Sequence, residues 1–376
     1  MDKVTIHLAL VDDWELSGNG TGNIRELQFE PMRKLVSIYN RLGIRGSFNA
    51  EVMQQLNFRQ YQQEYPKLKE LADEWDDLIC DTLSHGHDIQ LHVHPQWYKA
   101  GYDGQWHLTS DWSILNYPRA TALELLSSCK TYLETLLRKV KPDYKCVSFR
   151  SGAWCIAPSP HMMELLVQLG IVFDMSIVSG VRYDTRHIKL DYTQCEEDFL
   201  PYYPVMTDAR KVSSKKEPII CLPTNCFYAS RRQLFLHHVQ KVKQKVSPAT
   251  VSSGSGSRTV ENYGHEWAQV GESKAKRVLD KVIVPYVKGK HMISDLAQLD
   301  YPLLLEMLSS IRKRARRSGL QDIPVVLENH TKDIRDFSDI ERFLELTRPN
   351  TDIKFLTLTE LAIKLREGFF PVRIRS

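Results

Sequence analysis

With 376 residues and a net charge of +4, the chain is long enough for one large α/β domain with insertions or for two domains. The charge excess suits an anionic partner such as a sugar phosphate, but it lacks the concentrated basic face of a nucleic-acid binder. Seven cysteines without regular spacing read as free thiols in a reducing compartment. No apolar run reaches about eighteen residues, and Asp2 and Lys3 lead straight into a strand-like segment, so a soluble, cytoplasmic protein without stable membrane insertion is expected.

Residues 4–11 are apolar and β-branched, a strand that ends abruptly in Asp12-Asp13-Trp14-Glu15. Adjacent acids at a strand end read either as reactive carboxylates or as a solvated turn or helix cap. The glycine-rich segment 17–23 has neither a G-x-G-x-x-G nor a P-loop pattern, which argues against a phosphate cradle there. Residues 29–42 carry helical spacing at Met32, Leu35, Val36 and Tyr39, with Gly43 as C-cap. A second strand at 44–49 completes β-α-β, the opening of a parallel sheet.

A helical segment, 51–83, broken at Pro66, delivers the chain to a third strand rich in histidine. Four of the thirteen histidines fall at 85, 87, 92 and 94. Side chains alternate faces along a strand, so His92 and His94 point the same way and are close enough to grip one cation. Pro95 stops the strand and leaves both imidazoles at its C-terminal end. The loop 98–117 is dense in Trp and Tyr, either a wall on which sugar rings stack or rings that pack the loop itself.

A helix at 121–140 precedes strand four, 146–150, which ends in Arg150. A guanidinium at the end of a buried strand needs an acid, and the acids after strand one are the economical partners. Asp174, within strand five at 171–177, offers another. Further on, residues 219–223 read as a sixth strand and 231–245 as a helix. Residues 248–257 form a flexible Ser/Gly loop, and 275–287 and 301–318 form two more helices. The basic run 312–317 reads as an exposed helix end that suits the dipole, rather than a contact for membrane or nucleic-acid phosphates. A strand at 323–327 ends in Glu328-Asn329-His330, and helix 336–346, strand 353–355 and helix 358–366 close the chain. Asp12, Asp13, His92, His94, Arg150, Asp174 and His330 thus all fall at strand C-termini of a β/α series, where barrels of that kind keep their active sites.

The order Asp-Asp after strand one, Gly86-His87-Asp88-Ile89 followed by His92, Phe149-Arg150-x-Gly152, Asp174, and a late strand ending in His330 resembles the polysaccharide deacetylases, the NodB-like carbohydrate esterases. The resemblance spans residues 4 to about 330 and is sparse in identities. It implies one domain over 1–376, a distorted (β/α) barrel of about seven strands with a mostly helical insertion near 182–319. It also implies removal of an N-acyl group from an amino sugar with a bound divalent metal. By that resemblance Asp12 is the general base, Asp13 and His92 are metal ligands, Arg150 orients Asp12, Asp174 supports Arg150 and His330 is the general acid. The family's second histidine lies four residues after the first, where this chain has Gln96; His94 is the substitute, since His-x-His on a strand chelates as well. Trp14-Glu15 stands where the family has Gly-Pro. Zinc is the first expectation for the metal, with cobalt, nickel, manganese and iron also suited to imidazole and carboxylate. The substrate class implied is a nucleotide- or lipid-linked glycan precursor of surface-polysaccharide (lipopolysaccharide) biosynthesis. A sugar-binding protein that has lost the chemistry, and another His-x-His amidohydrolase, are the alternatives.

Overall fold

The computed structural model describes residues 4–237 and 289–376. Its centre is one all-parallel sheet of β1 (Thr5–Trp14), β2 (Ser47–Glu51), β3 (Asp88–Val93), β4 (Ser148–Ser151), β5 (Phe173–Asp174), β6 (Ile220–Cys221), β7 (Asp322–His330) and β8 (Ile353–Phe355). The spatial order is β6-β5-β4-β3-β2-β1-β7, and β8 pairs with the start of β1. Beyond β6 the chain turns toward the other edge: Thr224 bridges Val326, and Asn225 N–H donates to the Val326 carbonyl at 2.9 Å. Asp295 bridges Glu328 on the same edge of β7. The sheet therefore curls until its edges meet, in keeping with the expected distorted barrel.

Helices α1 (Glu30–Leu42), α2 (Val52–Tyr61), α3 (Pro66–Ser84), α4 (Arg119–Leu137), α5 (Met162–Gln168), α6 (Tyr301–Ser318) and α7 (Ser338–Thr347) pack on the outside of this sheet. Ile6, Leu8, Leu10, Phe48, Ile89, Leu91, Phe149, Ile323 and Leu327 face them in one large apolar core. The opposite face turns inward. Its lower half is apolar, with Ala9, Val11, Val326 and Leu222 against Leu358, Leu361 and Leu365 of α8 (Leu358–Arg366). Its upper half is polar, which is why several strands are buried on both faces and show no clean alternation of apolar and polar residues.

Strand β1 runs three residues beyond the expected end, through Trp14. Trp14 is fully buried; its indole donates to the Gln28 carbonyl at 2.8 Å, and the Gln28 amide returns a bond to the Trp14 carbonyl at 2.9 Å. This cross-tie to the entry of α1 fixes the backbone just before Glu15. The insertion expected at 182–319 carries, in its described parts, short paired strands at 182–184 with 189–191, 204–205 with 208–212 and 226–229 with 290–293, as well as β6 and α6. The expected loop 248–257, the helix 275–287 and the end of the helix 231–245 lie outside the described residues. In the basic run, Arg312 pairs with Asp352 at 2.9 Å, and Arg314 stacks 4.1 Å over Phe199 and reaches Asp198 at 2.9 Å, so these two arginines tie α6 to the body. No helix among the described residues is long and apolar enough to cross a membrane.

Helix α8 plugs the lower end through a capping box in which Thr357 and Glu360 satisfy each other's backbone N–H groups. Leu358 N–H also donates to Ser47 Oγ at 3.0 Å, and Thr359 N–H to Asp88 at 2.8 Å. Thr357→Ala removes the cap and is expected to cost about 1 kcal/mol, seen as a lower denaturant midpoint at unchanged slope. An unshifted midpoint would mean that the plug is not held by its cap.

Candidate metal centre

The side-chain period of two sorts the ends of these parallel strands. In register, Asp13 lies beside Asn49 and His330, Glu51 beside His92, His92 beside Arg150, and Val11 beside Glu328. One inner face therefore carries Asp13, Glu51, His92, His94, Arg150, Glu328 and His330, and Glu15 continues it just past β1. Donor atoms of Glu15, Glu51, His92 and His94 lie within 4.8 Å of one another, all buried. His92 Nε2 is 3.0 Å from His94 Nε2 and 3.1 Å from Glu15 Oε2, and His94 Nε2 also contacts that oxygen. Three donors on one tetrahedral cation at about 2.0–2.1 Å are separated by roughly 3.3 Å, close to the two distances from His92 Nε2.

The tautomers can be made to fit as well. His92 Nδ1–H donates to the Arg150 carbonyl at 2.8 Å, leaving Nε2 free to ligate. His94 Nδ1 faces the Gln96 amide at 2.8 Å, while the buried Gln96 Oε1 has no partner. Turning that amide by 180° would let Oε1 accept from Nδ1–H and free His94 Nε2, at the expense of the bond that Gln96 Nε2 donates to the Gly18 carbonyl at 3.3 Å. Gln96 thus sits behind His94 and away from the cluster. Gly152 is held tight here: a Cβ on it would lie 2.7 Å from the Val93 carbonyl and 2.9 Å from the His94 ring.

The carboxylate in direct contact with both imidazoles is Glu15. Asp13 is taken by Arg150 Nη1 at 2.7 Å and Asn49 Nδ2 at 2.8 Å, both on Oδ1. Burial would raise the Asp13 carboxyl, but the Arg150 guanidinium, His92 and His330 outweigh it and hold it below the usual range. Arg150 therefore pairs with Asp13, where the resemblance has it orient Asp12. Asp12, one residue earlier, points to the other face. It bonds Asn329 of β7, lies in register with Phe48, whose ring packs near Tyr39 of α1, and influences the Tyr39 hydroxyl. Burial pushes its carboxyl well above the ordinary range, although His330 is near enough to oppose this. The physical reason is alternation: two consecutive residues of an extended strand cannot serve the same face.

His330 stands across from Asp13, its Nε2 3.8 Å from Asp13 Oδ2 and from Glu15 Oε1. Its Nδ1 lies 2.9 Å from Asp295 Oδ2. Burial would lower this imidazole, but Asp295 and Glu328 hold it well above the usual histidine range. Glu328, pushed up to about 7 by burial, accepts from the Trp154 indole at 3.1 Å. Trp154 stacks on Tyr183 with ring centroids 6.1 Å apart and meets the His330 ring edge-on. Ala153 and Trp154 are both left-handed, at φ 52° and 56°, a conformation that costs non-glycine residues energy and is concentrated at functional sites. Lys332 pairs with Glu15 Oε1; with burial opposing them, His94 and Lys332 hold Glu15 well below its normal range.

Asp174 accepts from the Ser176 hydroxyl at 2.6 Å and amide at 3.1 Å, and Ser176 Oγ accepts from Ser151 N–H at 2.9 Å. Its charge reaches Arg150, whose other bond goes to Thr224 at 3.0 Å. The sequence reading passed over Glu15, Glu51, Asp295 and Lys332. Glu15 was findable, because it shares the parity of Asp13 once β1 is extended through Trp14.

No sequence-family model and no curated protein matches this chain. Solved structures of similar layout include a polysaccharide deacetylase-type protein from Mycobacterium smegmatis, at 14% identity and TM-score 0.48 over 100% of this chain and 95% of that one. A second, from Pseudomonas aeruginosa PAO1 and also named for polysaccharide deacetylase, has 12% identity and TM-score 0.49 over 98% and 94%. The third is PuuE allantoinase, at 11% identity and TM-score 0.48 over 97% and 91%.

Burial pushes the Asp174 carboxyl up to about 7, so the folded chain keeps its proton over a range in which the unfolded chain, near 3.9, has already lost it. The group's contribution is therefore most favourable below about pH 4 and declines as pH rises to about 7. Asp174→Asn is expected to flatten that part of the stability–pH curve, measured by urea unfolding between pH 4 and 8. An unchanged slope would show that the carboxyl is ionised throughout.

Proposed function

We propose that the chain is a metal-dependent hydrolase that removes an N-acyl group, acetyl or formyl, from an amino sugar of a glycan or glycan precursor. The observation that carries this reading is the convergence of Glu15, His92 and His94 beside two oppositely tuned pairs, Asp13–Arg150 and His330–Asp295. Glu15, His92 and His94 would hold a divalent cation, which supplies a Lewis acid for the acyl carbonyl. Relative to the family pattern, the carboxylate roles move along β1: Asp13, fixed by Arg150, becomes the base, and Glu15 becomes the ligand.

Asp13 keeps Oδ2 free of the Arg150 and Asn49 bonds and takes the proton of the attacking water there. His330 carries its proton at Nε2 and passes it to the departing amine, with Asp295 balancing the imidazolium. Arg150 keeps Asp13 ionised and oriented. Trp154 and Tyr183 give the cleft an aromatic wall suited to a sugar ring. The choice of amino sugar rests on the resemblance in motif order, and a nucleotide- or lipid-linked form suits the mild positive charge. Lys332 favours a second reading, a sugar-binding protein without metal, because its ammonium already neutralises Glu15.

Elemental analysis of the purified protein and a panel of N-acetyl and N-formyl amino sugars test both readings. Bound metal with acyl release supports the hydrolase; absence of metal after reconstitution, with sugar binding intact, supports the second. His92→Ala is expected to lose metal while the fold persists. Asp13→Asn should keep the metal but lower turnover by roughly 10²–10⁴ with KM little changed, and an undiminished rate would remove Asp13 from the mechanism.

A further inference from the structure

The three donors above leave one buried oxygen of the cluster unexplained. Glu51, the last residue of β2, is 1% exposed. Its Oε1 caps α2, accepting from Met53 N–H at 2.8 Å and Gln54 N–H at 3.4 Å. Its Oε2 has no hydrogen-bond partner although it is fully buried. Strand pairing sets Glu51 beside His92, and its carboxylate is grouped with the Glu15, His92 and His94 donors within 4.8 Å. A buried carboxylate oxygen without a partner is costly. Each nearby donor already has a place: Asn49 Nδ2 goes to Asp13, the Gln54 side-chain amide to Gln28, and Lys332 to Glu15.

Resting on the metal reading above, we propose that Glu51 is a fourth protein ligand through Oε2, making a site of two imidazoles and two carboxylates. The helix cap is the device that makes this possible. By fixing Oε1 on the first turn of α2, it orients the second oxygen toward the cluster, as outer bonds orient metal ligands generally. Four protein donors would close a tetrahedral zinc site and leave no position for substrate. The site is therefore matched to a cation that accepts five or six donors, and the second carboxylate shifts it toward harder ions such as manganese(II).

The test is calorimetric titration of the metal-stripped full chain with MnCl2 and with ZnCl2, for the wild type, Glu51→Gln and His92→Ala. Glutamine retains a carbonyl oxygen for the α2 cap, and the unfolding midpoint of the stripped protein reports whether the cap survives. Expected is a loss of at least tenfold in manganese affinity for Glu51→Gln at an unchanged midpoint, with a smaller loss for zinc, so that the zinc-to-manganese preference rises. Wild-type manganese affinity in Glu51→Gln, with binding abolished in His92→Ala, would overturn the Glu51 assignment and leave the three-ligand site standing. Equal losses for both metals would mark Glu51 as a charge acting through space and would also overturn it. Wild-type affinity in both variants would remove the whole site.

Discussion

The constraint on which the upper barrel depends is the neutralisation of carboxyl groups that the inner sheet face brings together. Asp13, Glu15, Glu51, Glu328 and Asp295 are all buried there, with Asp12 just behind them. Among the described residues, Arg150 and Lys332 are the permanent cations that meet this group, on Asp13 and Glu15 respectively. A buried charge without a partner costs several kcal/mol, so the remaining acids must take protons, meet imidazolium or bind a cation. Burial lifts Glu51 to about 8 and Glu328 to about 7. His92, with Asp13 and Glu15 overcoming its burial, rises to about 9. These are the responses of a cluster with too little fixed positive charge, and a divalent ion would relieve the same deficit while displacing protons.

Much of the scaffold could be read from residue patterns. The β-α-β opening, the histidine strand and the late strand ending in His330 are set by local periodicity, which one sequence carries in full. The pairing of Arg150 with an acid after β1 followed from the cost of burying a guanidinium. Which acid it meets did not, because that depends on β1 continuing through Trp14, and the Trp14–Gln28 cross-tie that holds it there is a tertiary contact. Shortening the strand makes Asp12 and Asp13 look equivalent. Extending it separates them onto opposite faces and brings Glu15 into line with Asp13. Glu51 was hidden for another reason: an acid at the start of a helical run reads as a cap, and here the cap uses only one of its two oxygens.

Distant segments are harder still. Asp295 reaches His330 because residues 294–296 pair along the edge of β7 away from β1, where the Leu296 and Glu328 amides exchange bonds with the Glu328 and Ser294 carbonyls. No spacing rule foretells that contact across a segment of irregular length. Tyr183 likewise comes to Trp154 from a short hairpin, and Trp154 is the second of two successive left-handed residues that follow Gly152, which packs tightly against His94. The segment beyond Asp174 therefore contributes Tyr183 and Asp295 to the surroundings of Trp154 and His330.

The opposed protonation of Asp13 and His330 follows from the same geometry. Asp13 and His330 are neighbours in register on β1 and β7, yet each is tied outward, Asp13 to Arg150 on β4 and His330 to Asp295 at the barrel edge. The two ties push in opposite directions, keeping the carboxyl ionised and the imidazole charged although both are buried. Groups of opposite charge 3.8 Å apart would collapse into a simple ion pair if either were free to turn. Each is instead held by its own partners, Asp13 by Arg150 and Asn49 and His330 by Asp295, with Glu328 Oε1 3.4 Å from His330 Nε2. A buried pair whose environments drive the two protonation states apart is the arrangement that acid–base chemistry at one centre requires.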